Sequence, residues 1–473
     1  KKNKKKNLIK KIEKEDCSDD DLTSDDEEEV SKNIVGEVFN NKYYCIKYLG
    51  RGTFSRVWLV YDIIDNKYFA MKSQFEEFYE DSLHEIKVMK KINNKDNSDS
   101  RIVKLYDHFS INKNTYMIYE LLGISLLEFF RETSDDDSDA NDSDANDSDA
   151  NDSDVNDSDA SDSDANDDNS DANNSINEES NDGKRIPKAA VKIIIKDILL
   201  GLSEAHNKNI IHTDLKPENI LLNIYKPKIK ETIDNFTSFN PEKIFIDLIT
   251  NYLPDDFYEY DRNKRKKYKQ KAKVKAINDF KILFKKTDIY QNDTENIDYI
   301  DNIDVNTLKA IIVDFGNGEF TNDLVQDEIS LRCYRPPENI LYEKYDTKAD
   351  IWVVGCLLYE MLTNEFLFDI DRNLKSIDRN RQHIHQMYEL FGKIPLEIVD
   401  NCDYGGYYFD NKGRVLKYKD FEHVPILDIL VTEFNYNEYE AILINDLLSK
   451  MLEYNPNKRL DALECLKYKW LSN

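Results

Sequence analysis

The chain has 473 residues, 40% hydrophobic and 33% charged, enough for one large bilobal domain or two ordinary ones. Its formal net charge is −28, yet residues 133–182 alone hold twenty acidic side chains and no basic one; without that −20 the remainder carries −8. The acidity belongs to an inserted segment and excludes a uniformly acidic catalytic surface.

The six cysteines, Cys17, Cys45, Cys333, Cys356, Cys402 and Cys465, are widely spaced and form no CxxC pair. This argues for a reducing compartment and against a disulfide scaffold or a zinc site. The first residues, KKNKKKNLIKK, have no apolar core of the kind a secretory leader needs. No apolar run approaches the ~20 residues that cross a bilayer. An intracellular protein without a membrane partner is expected.

In chain order, residues 1–41 are basic and then strongly acidic, a composition that cannot bury a core and predicts a disordered tail. From Lys42 to Tyr79, alternating aromatic and β-branched residues predict strands broken at Gly50-Arg51-Gly52 and Asp65-Asn66. A helix is predicted near 81–92, where apolar residues recur at three- and four-residue spacing, followed by the strand-like runs IVKLYDHF and TYMIYELL. Residues 133–185 form a low-complexity Ser/Asp/Asn insert with no hydrophobic period, predicted to be disordered. After Pro187 comes a long, mostly buried helix. A second insert, 224–307, is also read as disordered; it contains the run 262–275, with nine basic residues and no acidic one. That run fits a nuclear address, an RNA-binding patch or a solvated face. From Leu308 the chain is helix-rich. Together these features predict one domain, strands first (42–122) and helices later (123–472), with two inserts.

The first chemical candidate is 49-LGRGTFSRV-57, comprising Leu49, Gly50, Arg51, Gly52, Thr53, Phe54, Ser55, Arg56 and Val57. Glycines between strands let backbone N–H groups approach a polyphosphate, although such a pair also suits a plain hairpin. Ala70 and Lys72 end the third strand run, and Glu85, thirteen residues on in the predicted helix, can hold the ammonium against a phosphate. The stretch 210-IIHTDLKPENILL-222 follows. In it Asp214 is suited to accept a hydroxyl proton, Lys216 to neutralise a transferring phosphoryl group, and Asn219 to give a neutral oxygen to Mg²⁺. Asp314, after an apolar strand and before a glycine turn, is the second Mg²⁺ ligand candidate.

In this order, the motifs resemble those of the eukaryotic protein kinases over roughly residues 42–472. PPE at 336–338 resembles the end of an activation segment, Asp350 the aspartate that buttresses the catalytic loop, and Arg459 the arginine that pairs with Glu338. The resemblance implies an α+β bilobal kinase fold, ATP and Mg²⁺ as cofactors, a hinge at Glu120–Leu122 and Tyr119 as gatekeeper. Within the CMGC group, several details resemble the SR protein kinases. These are Gly50-x-Gly52-x-Phe54-Ser55-x-Val57-Trp58, Thr213 in the HTD triplet, and a wide spacer between Asn219 and Asp314.

That likeness implies serine/threonine phosphorylation of basic Arg/Ser-rich proteins, including nucleic-acid-binding ones, by a monomer that makes no direct nucleic-acid contact. A cytoplasmic location extending to the nucleus is implied as well. With Thr213 where most kinases carry arginine, it also implies activity without activation-loop phosphorylation. Glu365 and Glu389 match two acids of the family's docking groove, whereas Gln382 replaces a third and Glu433 a lysine. Arg332 and Arg335 resemble the paired arginines that shape the site after the phosphoacceptor. A cdc2-like kinase with other substrates and a pseudokinase scaffold are the alternatives.

Overall fold

Aromatic and β-branched residues between Val38 and Glu120 build one antiparallel sheet. Its strands are β1 (Val38–Phe39), β2 (Tyr43–Gly52), β3 (Ser55–Asp62), β4 (Lys67–Gln74), β5 (Leu105–Ile111) and β6 (Asn114–Glu120), in the order β1-β2-β3-β4-β6-β5. The computed structural model describes residues 34–52, 55–93, 99–131, 185–285, 304–325, 328–341, 345–402, 405–418 and 421–472. Turn chemistry sets the strand registers. Between β3 and β4, Asp62 Oδ1 accepts the N–H groups of Ile64 and Asp65, and Asn66 takes a left-handed φ of 55°. Between β5 and β6, Asn112 and Lys113 both have positive φ, as a two-residue hairpin with primed-turn geometry requires. The sheet starts earlier than expected: Val38 and Phe39 pair with Tyr44 and Tyr43, so the disordered tail cannot run to residue 41.

Helix α1 (Tyr79–Ile92) buries Ser82, Glu85, Ile86, Val88, Met89 and Ile92, one face at three- and four-residue spacing, beside β5 and β6. Helices α2 (Leu126–Arg131) and α3 (Lys188–His206) begin the second lobe. Buried α3 residues Ile194, Ile198, Leu199 and Leu202 join one core with the strand pairs β7 (Ile210–Ile211)/β10 (Glu319–Phe320) and β8 (Ile220–Leu222)/β9 (Ala310–Ile312). At the lobe junction, Gly123 N–H donates to Leu222 O, and a Cβ on Gly123 would lie 2.0 Å from Ile224 O, so only glycine fits.

The second insert is not disordered where it is described. It forms α4 (Pro227–Ser238), α5 (Pro241–Asn251) and α6 (Arg262–Phe284), with residues 286–303 outside the described structure. Phe236, Phe245, Phe280 and Phe284 pack with Tyr44, Leu59 and Tyr61 of the sheet, with Tyr44 stacked on Phe236 at 5.8 Å. Tyr68 shares a 2.7 Å hydrogen bond with Thr237, and Glu37 pairs with Lys281 and Lys285 of α6. The insert leaves the helical lobe after β8 and packs on the strand lobe. Its apolar residues lie among many charged ones and have their partners far away in sequence, so local composition hides this burial. The first insert lies outside the described residues apart from Arg185, which donates to Phe434 O at 3.1 Å.

The helical lobe is centred on α7 (Lys348–Thr363), buried along its length, with α8 (Ser376–Phe391) and α9 (Glu438–Met451) around it. Among the described residues, no helix is long and apolar enough to cross a membrane.

Candidate active site

A cavity of about 540 Å³ opens between the two lobes. Leu49, Gly50, Arg51, Gly52, Ser55, Val57 and Ala70 form its sheet wall; Tyr119, Glu120 and Leu122 form its back; Lys72, Glu85, Lys216, Asn219 and Asp314 line its polar end. Thr53 and Phe54 lie outside the described residues. Arg56 does not line the cavity: its guanidinium lies over the Phe75 ring, 5.0 Å from the centroid, because alternation on β3 turns it away. The insert contributes Lys226 and Ile229 to the wall, and Tyr225 donates to Leu121 O at 3.0 Å. Sequence reading missed all three, since nothing in their spacing places them near the hinge.

Strand β4 and helix α1 bring Lys72 and Glu85 together. Lys72 Nζ lies 2.9 Å from both Glu85 oxygens and 2.8 Å from Asp314 Oδ1, while Tyr119 donates to Glu85 Oε1 at 2.7 Å. Burial disfavours the ammonium, but Asp314 and Glu85 outweigh it and raise the Lys72 pKa above the lysine range. Lys72 in turn holds the Asp314 carboxyl below its ordinary value. A cation anchored this way between two lobes is suited to grip a phosphate chain.

The catalytic-loop candidates sit on the turn between β7 and β8. Asp214 Oδ2 lies 3.1 Å from Lys216 Nζ, and Asn219 Nδ2 donates to Asp214 O at 2.8 Å, which leaves the amide oxygen of Asn219 for another partner. Asn317, whose part was not foreseen, approaches Asp214 Oδ2 with its Nδ2 at 3.4 Å. Asp350, at the start of α7, anchors the loop by accepting the N–H groups of His212 (2.9 Å) and Thr213 (3.2 Å) and the His206 ring at 2.8 Å. His212 Nε2 contacts Val313 O at 3.0 Å, tying the loop to the strand that carries Asp314.

Thr213 and Asp314 both have left-handed backbones, with φ of 67° and 61°. For a β-branched residue this is strained, by ~1–3 kcal/mol, and needs compensating contacts. Thr213 has them: its Oγ1 donates to Asn317 O at 2.7 Å, and its own carbonyl accepts Ser330 N–H at 2.7 Å and Ser330 Oγ at 3.1 Å. Further along, Tyr345 donates to buried Glu319 at 2.6 Å, and Arg335 pairs with Glu328 at 2.7 Å. Buried Glu360 accepts Tyr334 OH at 2.6 Å, and burial pushes its carboxyl up to about 7. Its sequence signal was a lone acid inside the apolar run of α7.

The docking candidates are dispersed. Glu365 is exposed just past α7, and Glu389 lies near the end of α8, 3.3 Å from the His385 ring. Gln382 accepts Asp371 N–H at 3.0 Å and so ties down a loop. Glu433 and Glu365 both raise the pKa of the Tyr359 phenol beyond the effect of burial, so Glu433 adds negative charge near Glu365. Arg335 is buried on its Glu328 partner.

The oxygens of Asp314 and Asn219 suit a hard divalent cation, and open glycine backbone lies across the cavity: a Cβ on Gly50 would meet nothing within 4 Å. The model of the protein kinase domain family matches residues 169–234 and 294–471, and the interruption falls on the helical insert. Longer alignments join both lobes to known kinases. The serine/threonine-protein kinase SRPK of Physarum polycephalum is 27% identical over 93% of this chain and 88% of its own length. Protein kinase dsk1 of Schizosaccharomyces pombe is 24% identical over 92% of this chain and 82% of its own length. SRSF protein kinase 3 of Mus musculus is 22% identical over 93% and 88%. The chain belongs to the protein kinase domain family and is a serine/threonine protein kinase that uses ATP with a divalent cation, similar to the SRPK and SRSF protein kinases.

Proposed function

We propose that this kinase phosphorylates serine in Arg/Ser-rich proteins, with Mg²⁺ as its cation and with no phosphate on its activation segment. Asp214 accepts the proton of the serine hydroxyl as the oxygen attacks the γ-phosphorus of ATP, the bond to the β–γ bridging oxygen breaks to release ADP, and Lys216 neutralises the transferring group. Lys72, held by Glu85, positions the phosphate chain. Asn219 and Asp314 would hold Mg²⁺, which when bound neutralises charge on the phosphate oxygens.

The observation that carries the activation reading is Thr213, hydrogen-bonded to Asn317 O on one side and to Ser330 on the other. Where an arginine would await a phosphate, neutral bonds already join the catalytic loop to both ends of the activation segment. Protein made in bacteria and treated with phosphatase is therefore expected to keep its turnover. A large fall, restored by an upstream kinase, would overturn this.

The substrate reading rests on Glu365, Glu389 and the added charge of Glu433. By resemblance to the family's docking groove, these dispersed acids would attract and orient an arginine-rich tract, mainly through on-rate and specificity. Replacing Glu365 and Glu389 by Ala together is expected to raise KM for an Arg-Ser peptide several-fold and flatten its salt dependence, with ATP affinity unchanged. Steady-state kinetics at two salt concentrations test this; a double variant that matches the wild type in both removes the groove from the account.

A further inference from the structure

Helix α6 carries charge where helix physics opposes it. It is capped by Asp261, whose Oδ1 accepts Asn263 N–H at 2.8 Å and Lys264 N–H at 3.0 Å. Residues 262–275 then place nine cations and no anion in its N-terminal half. Cations there oppose the helix dipole, and pairs four apart, such as Arg265/Lys269, Lys267/Lys271 and Lys271/Lys275, repel one another. Packing does not explain the arrangement, because no side chain from Arg262 to Lys271 is buried; the buried residues of α6 are Ala272, Ala276, Ile277, Phe280 and Phe284. Lys281 of the same helix and Lys285 just past it pair with Glu37, whereas among the described residues none of the nine side chains has a carboxylate partner. Lys264 and Lys275 lie instead over the rings of Tyr260 and Tyr252. A local conflict of this kind marks a face that awaits an external anion.

We propose that the basic half of α6 is a docking face for the chain's own acidic repeat, residues 133–182. Three observations favour this occupant. The repeat carries twenty negative charges and no positive one, against nine positive charges and no negative one over residues 262–275 of α6. The two inserts leave the body side by side: the repeat follows α2, whose Glu128 pairs with Lys226, the residue just before α4. The length also suffices. Coiled at random, the repeat's 50 residues would span roughly 40 Å, while α6 is roughly 35 Å long. A tether of that length holds the repeat at millimolar effective concentration, ahead of any dilute competitor. Its recurring Ser-Asp pattern offers many equivalent registers, so charge rather than a single fitted contact holds it.

The test uses three full-length proteins and a fluorescent heparin oligosaccharide as probe. These are the wild type, a variant with the acidic residues of 133–182 changed to Asn and Gln, and that variant with Lys264, Arg265, Lys266, Lys267, Lys269 and Lys271 also changed to Gln. Neutralising the repeat is expected to tighten heparin binding by ~10-fold or more at low salt, a gain that fades as salt is raised. Neutralising α6 as well should abolish the gain. A synthetic peptide of five Ser-Asp-Ala-Asn-Asp units should bind the repeat-neutral protein but not the α6-neutral one. Equal heparin binding by the wild type and the repeat-neutral variant would overturn the proposal and leave α6 open to a nucleic acid or an acidic protein. A gain that persists without the α6 charges would overturn it too, because it would reflect only the protein's overall charge.

Discussion

Replacing Asp214 by Asn is expected to lower kcat by ~10²-fold or more while leaving the protein folded. The amide keeps the shape of the carboxylate but cannot take the proton of an incoming hydroxyl. It also loses the charge that Lys216 faces at 3.1 Å. The Asp214 side chain is 22% exposed, so no buried charge is stranded by the change. Asp350, not Asp214, holds the loop, through the backbone N–H groups of His212 and Thr213. Turnover measured beside a thermal melt checks this: activity should collapse at an unchanged melting temperature. Near wild-type turnover would show that Asp214 is not the base.

The largest effect on stability is expected at Arg459. Its Nη1 and Nη2 lie 2.7 and 2.9 Å from the two oxygens of Glu338, and it also donates to Lys348 O and Glu453 O. The guanidinium carbon lies 5.1 Å from the centroid of the Trp352 ring, and the Arg459 and Glu338 side chains are 0% and 1% exposed. Arg459→Met removes one partner and leaves a carboxylate and two carbonyls buried without their donors. Breaking a buried pair in this way costs ~3–5 kcal/mol. Restoring neutrality with Glu338→Gln in the same chain should recover part of that loss, since the stranded charge is gone. Urea unfolding of both singles and the double variant gives the comparison, read at constant slope. A loss under ~1 kcal/mol for Arg459→Met would mean that water reaches the pair.

The strand lobe was legible in the sequence because its information is local. Asp62 to Asn66 spells out a turn and the runs on either side are rich in aromatic and β-branched residues, so β3 and β4 could be placed without knowledge of their partners. The polar end of the cavity and the loop beside it were legible for another reason: Lys72, Glu85, Asp214, Asn219 and Asp314 are charged or amide residues on or beside apolar elements, where burial demands a partner or a task. The helices of the second insert were illegible because their partners are distant. Phe236 stacks on Tyr44 and Phe280 meets it edge-on, from nearly two hundred or more positions away, and the first half of α6 is dominated by basic residues. Arg56 was assigned to the cavity by its neighbours in sequence, but on a strand the adjacent residue points the other way. Asn317 and Tyr225 act through contacts with Asp214 and Leu121 that only the fold creates.

The proposed function is phosphorylation of serines within arginine-rich tracts, directed by the acid-bearing lobe. It is tested most directly by competition between an eight-repeat Arg-Ser peptide and a matched Ser-Pro peptide, with phosphatase-treated protein, Mg²⁺ and labelled ATP. Then kcat/KM is expected to favour Arg-Ser by ~10-fold or more at low salt, the preference to shrink as salt rises, and Asp214→Asn to transfer label ~10²-fold more slowly. A preference for Ser-Pro, or equal rates at both salt concentrations, would contradict it and make a cdc2-like specificity the better description.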